Sequence, residues 1–316
     1  MRGLLKALSV LPFLAGAAVA QDYPTKPVTM VVGFSAGGGM DTLARMVAEP
    51  AGEALGQQIA VENRPGAGGT IAPGYVANAA ADGYTIWLGE TAATIGPVVH
   101  GDVGYDPTES FVPIAQLAVA PLALVAGKDV DASSIQEFVD LVKANPGDYF
   151  YASPGVATLQ HLAVEALADA AGLDIDAVQF QGGSPSMQAL LSGEVSFAVV
   201  SLNAARSQSD GGNVKILGVT TAEPVPGFED IGPVSEVVEG FDAAPRQFIM
   251  VPAGTPDDVV ATLRDAFRAA MENQELRDKL ASRGLVPTYL DGPQLAEELP
   301  GVIDTWSETA RSVLTN

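Results

Sequence analysis

The chain contains no cysteine and only two histidines, and its 16 basic residues are outnumbered by 38 acidic ones. Without cysteine there are no disulfides, no thiol chemistry and no lipid-modified N-terminal cysteine. With so few histidines a transition-metal site is not expected, and we predict no metal and no cofactor. The formal net charge of −22 argues against nucleic acid as a partner, because phosphate binding requires an excess of basic side chains.

Apolar runs long enough to span a membrane are also lacking, but the first twenty residues carry a targeting pattern. Arg2 and Lys6 accompany the apolar run Leu8–Ala17, and Ala18-Val19-Ala20 has the small residues of a cleavage site. The pattern predicts a signal peptide of residues 1–20, cleaved after Ala20, and a periplasmic protein. An uncleaved N-terminal anchor is the alternative.

Strand-like runs alternate with helix patterns along the rest of the chain. The runs are Val28–Val32, Thr85–Leu88, Leu122–Ala126, Val195–Val200, Ile216–Thr220 and Phe248–Val251, and the helix patterns include Thr42–Ala54, Ser134–Ala144, Thr158–Ala171 and Ser186–Leu191. A further helix begins at Thr255-Pro256-Asp257-Asp258 and is expected to end at Gly284. This alternation predicts an α/β protein with mainly parallel sheets flanked by helices.

A glycine-rich loop, Gly33 to Asp41, joins the first of these runs to the first helix. Three successive glycines, Gly37 to Gly39, let the backbone approach a ligand without side chains in the way. The helix behind them directs its unpaired N–H groups and the positive end of its dipole toward the loop. Such a site favours an anion, and the loop alone leaves phosphate and carboxylate open.

A second loop, Tyr151 to Thr158, also precedes a helix, which carries His161 in its first turns. Two helix N-termini that face each other across a cleft could both donate N–H groups to one carboxylate. The alternative is that both loops are ordinary connections between a strand and a helix.

A catalytic interpretation of the first loop also exists. Gly33-Phe34-Ser35-Ala36-Gly37 matches the G-x-S-x-G pattern of α/β-hydrolases, which would make Ser35 the nucleophile of an exported serine hydrolase. That fold needs a histidine late in the chain, and nothing after His161 could serve. A P-loop is excluded because no Gly-Lys-Ser/Thr follows the glycines. We therefore expect a protein that is not an enzyme, and keep the hydrolase as the alternative.

An ordered set of short motifs resembles one known family. The set comprises Tyr23-Pro24-Thr25-Lys26-Pro27, Gly33 to Asp41, Glu62-Asn63-Arg64-Pro65-Gly66-Ala67-Gly68-Gly69, Ala81-Asp82-Gly83-Tyr84-Thr85, Tyr105-Asp106-Pro107, Tyr151-Ala152-Ser153 through His161-Leu162, Gln181-Gly182-Gly183-Ser184-Pro185 and Val251-Pro252-Ala253-Gly254-Thr255-Pro256. Together they resemble the extracytoplasmic solute receptors of tripartite tricarboxylate transporters, which are called the Bug family.

The resemblance implies a two-lobed periplasmic binding protein of type II-like architecture with a ligand cleft between the lobes. Residues 21–123 plus 219–316 would form the first lobe and residues 124–218 the second, with crossovers near Leu122–Ala126 and Ile216–Thr220. The ligand would be a di- or tricarboxylate, an acidic amino acid or an aromatic acid. The partners would be the large and small integral-membrane permease subunits, and the receptor itself would be monomeric.

The resemblance and the two loops together imply a set of ligand-binding residues. These are Phe34, Ser35, Ala36, Gly37, Gly38, Gly39, Met40, Asp41, Glu90, Thr91, Ser153, Val156, Ala157, Thr158, His161, Gly182, Gly183, Ser201, Asn203 and Arg246.

Several positions depart from the family pattern, among them Arg246, Glu90 and Pro300. Arg246 is expected either to bind a second carboxylate of the ligand or to be an exposed charge. Glu90 would repel a second carboxylate unless it pairs with Arg246 or with an ammonium group of the ligand. Pro300 is expected to interrupt a C-terminal helix that runs on in relatives.

Overall fold

The structure of the protein is a computed structural model that describes residues 23–315. The expected signal peptide and its cleavage after Ala20 lie outside this range. Within it, no helix combines the length and the apolar character that crossing a membrane requires.

The described residues form eleven strands and eleven α-helices. The strands are β1 (Val28–Val32), β2 (Ile59–Asn63), β3 (Thr85–Glu90), β4 (Phe111–Val119), β5 (Leu122–Gly127), β6 (Phe150–Ser153), β7 (Asp176–Gln179), β8 (Phe197–Ser201), β9 (Val214–Val219), β10 (Arg246–Pro252) and β11 (Leu290–Asp291). The helices are α1 (Gly39–Leu55), α2 (Ile71–Ala77), α3 (Thr91–Thr94), α4 (Gly96–His100), α5 (Ile135–Ala144), α6 (Leu159–Ala171), α7 (Gly183–Ser192), α8 (Leu202–Asp210), α9 (Asp257–Glu272), α10 (Gln274–Ser282) and α11 (Gly292–Thr315).

Two sheets organise these elements, as the α/β pattern predicts. The first has the strand order β11-β4-β10-β3-β1-β2 and the second the order β7-β6-β8-β5-β9. Helices cover both faces of each sheet: α1 and α9 oppose α2 and α11 on the first, and α5 and α6 oppose α7 and α8 on the second. Each sheet therefore has apolar cores on both of its faces.

The strand pairing is more mixed than expected. In the first sheet β1 is parallel to β2 and β3, whereas β10 is antiparallel to β3 and β4. In the second sheet β6 is parallel to β7 and β8, whereas β5 is antiparallel to β8 and β9. The expectation of mainly parallel sheets nevertheless holds for the strand directions: β1 to β4 point one way in the first sheet and β6 to β9 point one way in the second, whereas β5, β10 and β11 run against them.

The chain passes between the sheets twice. It leaves the first through Ala120 and Pro121, between β4 and β5, and returns through residues 220–245, between β9 and β10. The crossovers expected near Leu122–Ala126 and Ile216–Thr220 lie next to these passages. The lobe boundaries remain a prediction, and α11 contacts the cores of both sheets.

Two helix predictions are wrong in their extent. The helix expected to end at Gly284 stops at Glu272, because Asn273 adopts an extended conformation and its side chain accepts a hydrogen bond from the Leu276 N–H, which caps α10. Pro300 lies inside α11 and does not end it. The buried side of α11 packs on both cores, which outweighs the cost of about 3 kcal/mol of an internal proline.

A close backbone contact holds the first loop against the segment that follows β2. Gly33 directly follows β1, and a Cβ at this position would lie 2.5 Å from the carbonyl oxygen of Gly69. We expect Gly33→Ala to lower the free energy of unfolding by about 1–3 kcal/mol, because two backbone segments would have to separate.

The control is the same change at Gly301, inside α11, where nothing lies within 4 Å of the added Cβ. Gly301→Ala should raise the free energy of unfolding by about 0.5–1 kcal/mol, since glycine is unfavourable in a helix. Urea denaturation of both variants measures the difference. Equal stability of Gly33→Ala and the unsubstituted protein would contradict the close contact.

Candidate ligand-binding site

The carboxyl ends of several strands share one edge in each sheet. In the first sheet β1 is parallel to β3, and both β3 and β4 are antiparallel to β10, so β1, β3 and β4 end at the same edge. In the second sheet β6, β7 and β8 are parallel and also end together. Ligands of α/β sheets bind outside the carboxyl ends of the strands, so each of these edges is a candidate for half of a site.

The chain joins these two edges directly. β5 begins at Leu122, opposite Ser201 at the end of β8, so Ala120 and Pro121 lead from the edge of the first sheet to that of the second. On the return, β9 ends and β10 begins at the same two edges. The two edges therefore lie on either side of a cleft.

The predicted ligand residues divide between the two edges. At the first lie Phe34, Ser35, Ala36, Gly37, Gly38, Gly39, Met40, Asp41, Glu90, Thr91 and the start of β10 with Arg246. At the second lie Ser153, Val156, Ala157, Thr158, His161, Gly182, Gly183, Ser201 and Asn203.

The first loop uses some of its N–H groups internally. The Gly37 N–H donates to Asp41 Oδ2 at 2.8 Å, and the Gly38 N–H donates to the Ser35 carbonyl at 3.2 Å. The N–H groups of Gly37 and Gly38 are therefore occupied within the loop. Further donors come from the first turn of α1, which begins at Gly39 and has no side-chain cap.

Asp41 holds this loop together. Its carboxylate is buried, accepts from the Gly37 N–H and forms an ion pair with Arg45, with N–O distances of 3.0 Å. The hydrogen bond from Arg45 is the main cause that lowers the pKa of Asp41 to about 2. The side chain is thus occupied by the loop and by α1, at whose N-terminus a negative charge is stabilising.

The second loop is also internally bonded. Gly155 has a φ of 149° and Ala157 a φ of 56°, and the Thr158 hydroxyl donates to the Gly155 carbonyl at 2.9 Å. Ser153 is buried, and its hydroxyl donates to the same carbonyl at 3.0 Å. These contacts fix the turn, and Val156 is left exposed at its tip.

His161 holds the second loop in place through a hydrogen bond to its backbone. Its Nδ1 accepts the N–H of Ala157 at 3.1 Å, and its Nε2 lies 3.6 Å from Glu165 Oε1. The carboxylate of Glu165 also bonds the hydroxyl of Tyr151, and the contact with His161 is the main cause that lowers the pKa of Glu165. His161 is therefore a supporting residue here, and the N–H of Ala157 is not available to a ligand.

A groove of about 680 Å³ lies along the second edge. Pro154, Gln160, Gly183, Ser184 and Ser201 are among the residues that line it. It offers small polar side chains and the open N-terminus of α7, which begins at Gly183.

Arg246 does not provide a free cation in this structure. Its guanidinium binds Asp242 at 3.1 Å and Glu298 at 2.7 Å, and only its backbone N–H reaches Thr91, whose hydroxyl accepts it at 2.9 Å. The expected pair between Arg246 and Glu90 is not formed. The reason is the alternation of β10, which directs Arg246 toward α11.

Asn203 contacts the segment that follows α10. It lies in the first turn of α8 and packs against Gly284, where an added Cβ would be 2.3 Å from the amide nitrogen of Asn203. This side chain therefore bridges the second edge to the segment that follows α10.

Glu90 ends β3 and lies directly opposite Gln247 of β10. Burial raises the pKa of Glu90 to about 7. Gln247 is buried, and its Oε1 has no hydrogen-bond donor among residues 23–315. Gln247 is not among the predicted ligand residues, because the predicted strand begins at Phe248; a glutamine next to an apolar strand run was the available signal.

Two helix-covered sheets, joined by two connections and separated by a cleft, define a two-lobed solute-binding receptor. The chain belongs to the family described as the tripartite tricarboxylate transporter family receptor, whose pattern matches residues 43–306.

Related sequences agree with this assignment. A UPF0065 protein of Bordetella bronchiseptica is 34% identical over 268 residues, which cover 83% of this chain and 79% of that protein. Protein BugT of Bordetella pertussis is 27% identical over 317 residues, which cover 98% of this chain and 97% of BugT.

Solved structures show the same fold. A solute-binding protein of this family from Polaromonas, solved with no ligand, has a TM-score of 0.83 at 28% sequence identity. The superposition covers 92% of this chain and 99% of the Polaromonas chain. The Rhodopseudomonas palustris protein Rpa4515, solved with adipate, has a TM-score of 0.75 at 30% sequence identity. The superposition covers 92% of this chain and 98% of the Rpa4515 chain. The predicted receptor family and fold class are therefore confirmed.

The raised pKa of Glu90 predicts a change of stability with pH. An acid whose pKa rises from 4.5 to about 7 on folding holds its proton more tightly in the folded state. Its contribution to the free energy of unfolding therefore falls as the pH rises from about 4.5 to 7. Glu90→Gln should raise the free energy of unfolding at pH 8 by about 1–3 kcal/mol and change it little at pH 4.5.

Urea denaturation at both pH values measures this effect. Glu53→Gln is the matched control, because Glu53 is exposed at the far end of α1. A gain for Glu90→Gln that is the same at both pH values would contradict the raised pKa.

Proposed function

We propose that this receptor captures a small organic carboxylate in the cleft and delivers it to the integral-membrane permease subunits of a tripartite tricarboxylate transporter. The observation that carries the proposal is the position of α1 and α6, whose N-termini lie at the two edges of the cleft. Unpaired N–H groups and the helix dipole both favour an anion there. The adipate bound to the related Rpa4515 is a ligand of this chemistry.

Backbone donors are the favoured partners for the carboxylate. Arg45, Arg64 and Arg246 lie next to the first edge, and all three are already paired with carboxylates. The net charge of −22 repels anions only at long range, where salt screens it. Over a few ångströms the N–H groups of α1 and α6 determine the binding.

The serine hydrolase alternative has no support in this geometry. No hydrogen bond among the described residues joins Ser35 to a histidine, and Nδ1 and Nε2 of His161 face Ala157 and Glu165. We propose that the protein acts without catalysis. We further propose that it is monomeric and that its signal peptide is cleaved after Ala20, which ultracentrifugation and N-terminal sequencing of the exported protein would test.

A thermal-shift screen of carboxylates identifies the ligand class. A ligand present at one hundred times its dissociation constant should raise the free energy of unfolding by about 2.7 kcal/mol. Failure of every di-, tri-, aromatic and amino carboxylate to shift the melting temperature would contradict the proposal.

The role of the backbone donors is tested by Gly39→Pro. Gly39 is the first residue of α1, where proline fits the helix and nothing lies within 4 Å of an added Cβ. The change removes one N–H from the proposed anion site without breaking the helix. We expect affinity for the carboxylate found in the screen to fall about 10- to 100-fold, because a hydrogen bond to a charged group contributes about 1.5–3 kcal/mol.

Gln274→Pro is the control, since Gln274 is the first residue of α10 and begins a helix outside the proposed site. Calorimetric titration should show unchanged affinity for this variant. If a folded Gly39→Pro variant binds as tightly as the unsubstituted protein, the first turn of α1 does not hold the ligand.

A further inference from the structure

Two polar side chains lie side by side at the first edge of the cleft. Glu90 and Gln247 are directly opposite in the antiparallel pair of β3 and β10. Leu88 and Ile249, two residues further along each strand, belong to the core that packs against α1. Because side chains alternate between the faces of a sheet, Glu90 and Gln247 lie on the face that carries α1. The N-terminus of α1 is at this same edge.

Both side chains present hydrogen-bond acceptors that have no donor. The Glu90 carboxylate is half-buried and forms no hydrogen bond or ion pair with the other residues of 23–315, and Oε1 of Gln247 is buried without a partner. For the buried oxygen of Gln247, the lack of a donor costs about 1–3 kcal/mol, and such a group calls for an explanation.

The charged groups of the surrounding elements are already engaged. On β10, Arg246 binds Asp242 and Glu298. On α1, Asp41 binds Arg45, and after β2 Arg64 binds Glu62 at 2.6 Å. Accordingly, burial is the cause of the raised pKa of Glu90, and no neighbouring charge contributes to it.

We propose that Glu90 is a specificity-determining residue that, together with Gln247, holds the ammonium group of an amino carboxylate ligand. An ammonium group has three N–H donors and no acceptor, which matches a carboxylate and an amide oxygen that lack donors. The carboxylate of the same ligand would bind the N–H groups at the start of α1. This inference rests on the proposed function and narrows its ligand class.

A ligand without an amine fits this edge less well. A second carboxylate placed beside Glu90 would either be repelled or require Glu90 to stay protonated. An ammonium group instead favours the ionised form of Glu90 and satisfies the oxygen of Gln247. Binding of an amino carboxylate should therefore release a proton from Glu90, whereas binding of a dicarboxylate should take one up.

Matched probe pairs test the proposal by calorimetric titration. Aspartate and glutamate carry the ammonium group, and succinate and glutarate have the same carbon chains without it. We expect the amino member of at least one pair to bind ten-fold or more tightly than its partner. Glu90→Gln should reduce that preference at least ten-fold, Gln247→Met should reduce it in the same direction, and Glu53→Gln should leave it unchanged.

Titrations at pH 6.5 in buffers of different ionisation enthalpy give an independent measure. Binding of the amino member should release protons from Glu90, whereas a dicarboxylate that uses protonated Glu90 should take protons up. Equal or tighter binding of the dicarboxylates, or a preference that survives Glu90→Gln, would overturn the inference and leave the carboxylate receptor intact. Absence of binding by all four probes would also overturn it, while the wider screen and Gly39→Pro decide the proposed function separately.

Discussion

The hydrogen bonds at the two connections between the sheets position everything else in this molecule. The Ala120 N–H donates to the Pro245 carbonyl at 2.8 Å, and the Thr220 N–H donates to the Leu122 carbonyl at 2.9 Å. The outgoing and returning segments therefore run together where they leave the sheets. Because this happens at the carboxyl ends of the parallel strands, the loops that follow those strands are placed on either side of one cleft.

Such a cleft can bind an anion without an arginine of its own. The described edges use their arginines internally: Arg45 holds Asp41, and Arg246 holds the segment before β10 to α11. What remains for a ligand is backbone: the first turn of α1 has no side-chain cap, and in α6, where the Thr158 hydroxyl accepts the His161 N–H, the N–H groups of Leu159 and Gln160 remain. The internal bonds of both loops keep these turns in place before a ligand arrives.

Much of the fold around the first loop could be predicted from the sequence, because local residue patterns determine these elements. The run Val28–Val32, the glycines after it and the amphipathic α1 are all found where the periodicity places them. Which N–H groups are free could not be predicted, since the bond from Ala157 to His161 depends on the exact turn. The direction of Arg246 was also missed, because a shift of one residue in a strand exchanges its two faces.

Glu90 illustrates how stability and function oppose each other at such a site. A carboxyl that is partly shielded from water and has no cationic partner lowers the stability of the empty receptor near neutral pH. A neutral amide or a small polar residue at this position would avoid that cost, and so would a partner such as Arg246, which the fold instead commits to Glu298. The cost is offset only when something else supplies the missing positive charge. A bound ligand is a group that can supply this charge and leave again, which makes an unpaired acid at this edge a selective element.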